Sequence, residues 1–283
     1  MAILSGRAKL AGVMGWPVSH SRSPRLHGYW LEHYGVDGAY VPLAVAPDRL
    51  RDAIGGLVAL GFRGVNLTLP HKEAALDHVD DLSATARRIG AVNTIVVGAD
   101  GKLRGDNTDA FGFLEHLKAS APQWRADAHP VAVLGAGGAA RAVIVALLDE
   151  GVKELRLINR SPERASKLRE AFGPAITVVN WAARSTALSD VSLLVNATSL
   201  GMSAQAPLDL ALDRLNQTTV VYDLVYAPLD TPLLKAARQR GNAVVDGLGM
   251  LLHQARPGFQ AWFGVEPEVT AALRAFVLDD LKA

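Results

Sequence analysis

A glycine-rich turn, Gly135-Ala136-Gly137-Gly138-Ala139-Ala140, directly follows the apolar run 131–134 and opens an apolar-periodic segment over 139–149. A strand, a Gly-x-Gly-x-x-Ala turn and a helix in immediate succession restrict the fold sharply. Gly135 permits the tight turn, Gly137 lets backbone approach a pyrophosphate, and Ala140 allows close packing of helix on strand. Free amides at the helix start then face an anion. Plain strand-to-helix turns also use glycine, so the motif gains its meaning from what surrounds it.

Beyond the turn, strand and helix alternate. Short β-branched runs at 155–158, 176–179, 193–195, 220–222 and 243–245 are interleaved with apolar-periodic segments at 163–171 and 232–240. Buried parallel strands joined by crossover helices make a doubly wound α/β sheet of Rossmann type. The end of the second strand bears on the ligand. An NAD site places Asp or Glu there to bind the ribose hydroxyls. Here the residues are Asn159-Arg160-Ser161-Pro162-Glu163-Arg164, with no acidic group at the strand end and two guanidiniums where a 2′-phosphate would sit. Arg160 is also suited to stacking on adenine. Ser161 before Pro162 reads as a helix N-cap that aims further amides at the same anion. Solvated helix charges are the bland alternative for Arg160 and Arg164, and their occurrence beside the glycine turn favours NADP over NAD.

The first half reads as a second α/β region, with strands at 10–14, 39–45, 64–69 and 92–97 and helices at 25–34 and 48–60. In the latter, Leu50, Ile54, Leu57 and Val58 share one face. Asp100-Gly101 is a hairpin turn, and the tail 248–283 reads as two helices broken near Pro267. The stretch 121–127, rich in polar and turn residues, reads as a surface connection between domains. The expected division is a substrate domain over 1–110, to which 248–283 returns, and an NADP-binding domain over 111–247.

Composition removes several classes of function. The 29 basic and 28 acidic residues leave a formal charge of +1, which gives no electrostatic case for nucleic acid or a membrane surface. Cysteine is absent, so disulfides and thiolate chemistry are excluded. No apolar run approaches the roughly eighteen residues of a membrane span, and no signal peptide is recognisable. A soluble cytoplasmic protein without a metal is expected.

Four polar clusters fall at strand ends or in loops of the first half. They are Ser19-His20-Ser21-Arg22-Ser23-Pro24, Asn66-Leu67-Thr68-Leu69-Pro70-His71-Lys72, Gly90-Ala91-Val92-Asn93-Thr94 and Gly105-Asp106-Asn107-Thr108-Asp109. Ser19 and Ser21 are two apart, so in extended backbone both hydroxyls face one side and suit a carboxylate. Ser23 before Pro24 reads as a helix N-cap. His20 has no metal partners spaced around it. Each cluster alone is ordinary turn chemistry; together they supply a proton-transfer group, a carboxylate partner and hydroxyl-binding groups, the needs of alcohol–ketone redox chemistry.

In these clusters, and in Asn196-Ala197-Thr198-Ser199, Tyr222-Asp223-Leu224-Val225-Tyr226 and Asp246-Gly247-Leu248-Gly249-Met250-Leu251-Leu252-His253-Gln254, the chain resembles the shikimate dehydrogenases along essentially its full length. The resemblance implies NADP(H)-dependent interconversion of 3-dehydroshikimate and shikimate. It implies Lys72 and Asp109 as the reactive pair and Ser19, Ser21, Thr68, Asn93, Tyr226 and Gln254 around the substrate. On the cofactor it implies Gly135, Ala136, Gly137, Gly138, Ala139, Asn159, Arg160, Ser161, Arg164, Thr198, Leu224, Gly247 and Met250. Three positions depart from the pattern: Ser161 for threonine, Trp16 for a smaller polar residue, and Ala84 where some members carry an acid. Two alternatives stay open, a quinate/shikimate dehydrogenase with relaxed substrate or cofactor use and a catalytically silent sensor. The partner expected is a small-molecule substrate, with the protein a monomer or homodimer.

Overall fold

The computed structural model describes residues 3–203 and 205–280. The chain divides into two units: one runs to Thr108 and resumes at Gln254, and the other comprises Asp109–His253.

The first unit holds β1 (Lys9–Gly15), α1 (Ser23–His33), β2 (Gly38–Ala44), α2 (Leu50–Ala59), β3 (Phe62–Leu67), β4 (Asp81–Leu82), α3 (Ala84–Ile89), β5 (Thr94–Val97) and β6 (Leu103–Asp106). Its six strands lie in the order β2-β1-β3-β5-β6-β4. β1 is parallel to β2 and β3, whereas β5 runs antiparallel to both β3 and β6. The β5–β6 hairpin turns at Gly101, whose φ of 75° suits the glycine there. The expected helix 48–60 starts later, because Pro47–Arg49 form a single 3₁₀ turn. Leu50, Ile54 and Leu57 are buried, but Val58 is 42% exposed, because it lies at the rim of the stripe, about 80° round the helix from Leu50. Ser23 is not an N-cap either: it lies inside α1, and its amide donates to Ser21 Oγ at 3.3 Å.

The second unit holds α4 (Asp109–Ser120), β7 (Val131–Leu134), α5 (Gly138–Asp149), β8 (Leu155–Asn159), α6 (Pro162–Phe172), β9 (Ile176–Asn180), β10 (Leu193–Asn196), β11 (Val220–Asp223), α7 (Pro232–Gln239), β12 (Val244–Val245) and the first turns of α8 (Gly247–Phe263). Every strand pairing in its sheet is parallel, in the order β12-β11-β10-β7-β8-β9. Counted from β7 this is the 3-2-1-4-5-6 order, and its switch point lies between β7 and β10. The stretch 121–127 does not join the two units. It is the surface loop between α4 and β7, with Ala121 buried and the Trp124 indole donating to Ser192 Oγ at 3.3 Å. The unit boundary falls at Asp109 because α4 packs against α5, and Phe113 stacks on Tyr222 of β11 at 4.9 Å.

The second half of α8, followed by α9 (Ala271–Asp279), belongs to the first unit. Trp262 donates its indole N–H to Ile95 O at 3.0 Å, across a gap that only Gly64 leaves open. Arg25 reaches Phe276 O at 2.9 Å, and Trp30 donates to Glu268 O at 3.0 Å. Among the described residues, no helix is long and apolar enough to cross a membrane.

Candidate functional site

In the first unit the alternation of strand direction gathers the polar clusters. β1 and β3 end at one edge of the sheet, β5 starts there and β6 ends there, with Met14 opposite Leu67, Asn66 opposite Thr94, and Thr94 opposite Asp106. The loops carrying Ser19 and Ser21, Thr68 and Lys72, Asn93, and Thr108 therefore leave from a single edge. The first two touch: the Trp16 amide donates to Leu69 O at 3.0 Å, and a Cβ on Gly15 would meet Thr68 Cγ2 at 2.5 Å. Lys72 is tied to the third loop through its carbonyl, which accepts from Val92 N at 2.7 Å.

Ser19 is exposed, whereas Ser21, Thr68 and Lys72 are half-buried. Asn93 is buried and heavily bonded. Its Oδ1 accepts from Thr108 N at 2.8 Å and from Thr94 Oγ1 at 2.9 Å, and its Nδ2 donates to Thr108 Oγ1 at 3.1 Å and Gln254 Oε1 at 3.4 Å. Behind it, Asn66 Nδ2 donates to Asn93 O and to Thr94 Oγ1, both at 3.1 Å, and Asn66 Oδ1 accepts from Tyr40 Oη at 2.7 Å. Asn66, Thr94 and Thr108 thus fix the amide of a predicted site residue. Asn66 and Thr94 stand within strands that the hydrophobic pattern buries, which is their signal in the sequence, whereas Thr108 lies in the short link between β6 and α4 and carries none. His71 is structural, with Nε2 2.9 Å from Val45 O. Among the described residues no cluster of His, Cys, Asp or Glu is suited to a metal.

In the second unit the glycine turn lies at the switch point. Gly135 has φ 110°, and a Cβ there would stand 2.8 Å from Ala197 O at the end of β10. By contrast, apart from chain neighbours and the backbone of α5 itself, nothing lies within 4 Å of where a Cβ on Gly137 or Gly138 would be. That space fronts the first turn of α5, whose N-cap, Gly137, offers no side chain to its amides. An open cradle of unsatisfied N–H groups fits a pyrophosphate. Asn159 closes β8 and donates Nδ2 to Ser161 O at 2.9 Å, shaping the loop from which exposed Arg160 and Arg164 project. Ser161 holds the N-cap position of α6, but its hydroxyl makes no capping bond. The residues present fit a dinucleotide carrying a 2′-phosphate.

Two further loops border this crevice. Asn196 Oδ1 accepts from Thr198 N at 3.1 Å and Thr198 Oγ1 at 2.7 Å, while its Nδ2 donates to Asp223 Oδ1 at 2.9 Å. Asp223 also accepts from Val225 N at 3.1 Å and Thr231 Oγ1 at 2.7 Å. One buried carboxylate thus holds the Thr198 loop and the Leu224–Tyr226 loop together, and sequence reasoning gave it no role. Burial pushes the Asp223 carboxyl up to about 6, against the opposing bonds from Thr231, Val225 and Asn196. Gly247 sits with its Cα against Leu224 O, where a Cβ would be at 2.1 Å, and Met250 is buried one turn on. Asp109 opens α4 and is buried; Tyr226 is half-buried.

Three family models match consecutive parts of the chain: a shikimate dehydrogenase substrate-binding domain over residues 13–95, a shikimate/quinate 5-dehydrogenase over 118–208, and a shikimate 5′-dehydrogenase C-terminal domain over 247–275. The chain is 60% identical to the NADP(+) shikimate dehydrogenase of Paramagnetospirillum magneticum, over 97% of its own length and 100% of that protein. Its fold is similar to that of Corynebacterium glutamicum quinate dehydrogenase in complex with NAD, at 32% identity and TM-score 0.89, covering 96% and 99% of the two chains. It is also similar to Thermus thermophilus shikimate 5-dehydrogenase in complex with NADP(H) and shikimate, at 38% identity and TM-score 0.83, covering 97% and 98%.

Proposed function

The chain belongs to the shikimate dehydrogenase family, and from that premise we propose that it reversibly reduces 3-dehydroshikimate to shikimate with NADPH, a step of aromatic amino-acid biosynthesis. The observation that supports this reading is the gathering of four polar loops at one sheet edge, each of which carries residues that the resemblance to the family assigns to the site. The first unit is the substrate domain and the second the NADP domain.

Bound in the second unit, NADPH would supply the hydride for the ketone carbon. The residues of the chain do the rest. Ser19 and Ser21 donate hydroxyl hydrogen bonds to the substrate carboxylate. Thr68, Asn93, Tyr226 and Gln254 hold the ring hydroxyls, with Asn93 preset by Thr94 and Thr108. Lys72 gives its ammonium proton to the oxygen that becomes an alkoxide, and regains it from that hydroxyl in the reverse direction. Asp109 is its carboxylate partner in that exchange. Gly135, Ala136, Gly137, Gly138 and Ala139 would cradle the pyrophosphate, Asn159, Arg160, Ser161 and Arg164 would take the adenosine 2′-phosphate, and Thr198, Leu224, Gly247 and Met250 would border the nicotinamide.

The test is absorbance at the reduced-nicotinamide band during shikimate oxidation, run with NADP+ and NAD+ and with quinate in place of shikimate. NADP+-dependent turnover of shikimate above all other pairs is expected. Turnover of quinate with NAD+ as the best pair would assign the chain to the other branch of the family, and binding without turnover would make it a sensor. The protein works in the cytoplasm, as a monomer or homodimer, which sedimentation of the active species distinguishes.

A further inference from the structure

Two glycines at the start of α8 make unusually close approaches. Gly247 abuts the Leu224 carbonyl, and Gly249 abuts His116 of α4, where a Cβ would stand 2.1 Å from both Cε1 and Nδ1 of the imidazole. The first turn of α8, with Met250 in it, is therefore wedged between a backbone carbonyl and an aromatic ring.

That ring has little freedom. His116 is 8% exposed, with Tyr222 edge-on at 5.8 Å and His253 stacked at 6.0 Å. Its Nδ1 lies 3.2 Å from Ser120 Oγ, and its Nε2 lies 4.0 Å from Asp246 Oδ1, the same oxygen that accepts from Leu248 N at 3.0 Å and caps α8. His116 also shares a helical face with Asp109, seven residues earlier on α4. A shift of the ring would move the α8 turn and its cap together.

We propose that His116 is a positioning residue for the cofactor: its imidazole sets the place of the Gly247–Met250 turn that borders the nicotinamide. The inference rests on the assignment of that turn to the cofactor. His116 touches no reacting group; it acts through Gly249 and Asp246. A merely structural histidine would cost stability without separating cofactor from substrate.

The experiment is calorimetric titration of the full chain with NADP+ alone, beside KM values for NADP+ and shikimate and thermal unfolding. His116→Ala is expected to raise the NADP+ Kd and KM about ten-fold, with the shikimate KM held within about two-fold of its normal value. Gly249→Ala, which removes no side chain, should weaken NADP+ by forcing the ring aside. In the double variant the new methyl enters the space the ring vacated, so NADP+ binds more tightly than to His116→Ala alone, a non-additivity expected of two groups that share one space and not of distant, independent sites. An unchanged NADP+ Kd in both single variants overturns the inference, as does a loss shared equally by both substrates. Met250→Ala separates the two levels. If it weakens NADP+ while the His116 and Gly249 variants do not, only the role of His116 fails; if it too binds NADP+ normally, the assignment of the turn fails.

Discussion

Gly135 and Gly137 stand two residues apart in one turn and are required for different reasons, which alanine separates. At Gly135 the φ of 110° strains any side chain, and the added Cβ would lie 2.8 Å from Ala197 O and 3.0 Å from Ala197 C. Those are backbone atoms, held by the Ala197 N–H to Leu134 O bond of 2.8 Å, so they cannot turn aside. Backbone strain of about 1–3 kcal/mol and overpacking of about 1–3 kcal/mol place Gly135→Ala near 3 kcal/mol of lost stability. Gly137 has φ −98° and ψ −171°, open to alanine, and no neighbour within 4 Å. The N-cap preference for glycine over alanine, under about 1 kcal/mol, is offset by about 0.4–1 kcal/mol from the stiffer unfolded chain. Gly137→Ala should therefore unfold in urea within about 0.5 kcal/mol of the parent. Its methyl, however, would take up part of the open space before α5 that the pyrophosphate is proposed to enter, and NADP+ affinity should fall about ten-fold or more. Urea midpoints and NADP+ titration of the two variants make the comparison. Equal destabilisation of both, or a folded Gly137→Ala with normal NADP+ affinity, would refute the division of labour.

The other residues of the site and core set further outcomes. Lys72→Ala should lower kcat by about a hundred-fold or more, the scale of general acid–base catalysis; near-normal turnover with only a raised shikimate KM would make Lys72 an anchor. Ser19→Ala should raise the shikimate KM by the roughly 1 kcal/mol of one neutral donor and leave kcat nearly unchanged, and a kcat-dominated effect would move that loop into the chemistry. Burial among aromatic rings holds His27 down to about 3, so the neutral ring is the folded form. The stability this gives is complete above pH 6.5 and is lost as pH falls towards 3, by on the order of 4–5 kcal/mol, a dependence that His27→Phe should flatten. Asp223 has the opposite sign. Its carboxyl is raised to about 6, so the folded state holds a proton that the unfolded state has released, and stability declines by about 3 kcal/mol as pH rises from 4 to 6. Asp223→Ala should lose this slope together with the Thr198 and Leu224 loops, and an unaltered slope would show that another group titrates there.

The features legible in the sequence are those set by local chemistry. The glycine turn, the strand–helix alternation and the hairpin at Gly101 each arise from residues adjacent in the chain, and the structure has all three. The stretch 121–127 misled because polar and turn residues mark any surface loop, and composition does not record whether a loop joins units or elements. Ser23 misled similarly: Ser-Pro marks a helix start, but the hydroxyl that bonds the first turn is that of Ser21, two residues earlier. Val58 failed by angle alone. The third strand of the second sheet lies at its edge, and only pairing, which is not local, sets that order.

The buried amides were harder to read because their partners are distant. Asn93 bonds Thr108 and Gln254, and Asn196 bonds Asp223, separations of 15, 161 and 27 residues that no periodicity marks. Yet the two asparagines do the same physical task in the two units. Each lies at a strand end and turns its Oδ1 to the backbone N–H of a loop residue, Thr108 in one case and Thr198 in the other. An amide serves here better than a hydroxyl because it accepts and donates at once, with Nδ2 left to bond Gln254 or Asp223. A carboxylate in either place would offer no donor to that second partner, and at Asn196 it would face the charge of Asp223 across a buried gap. Asparagine at the end of a buried strand, bonded to a loop threonine, is therefore the residue pattern through which this chain hangs its site loops on a fixed sheet, and the same pairing of needs explains why Asn196→Asp should be more harmful than Thr198→Ser.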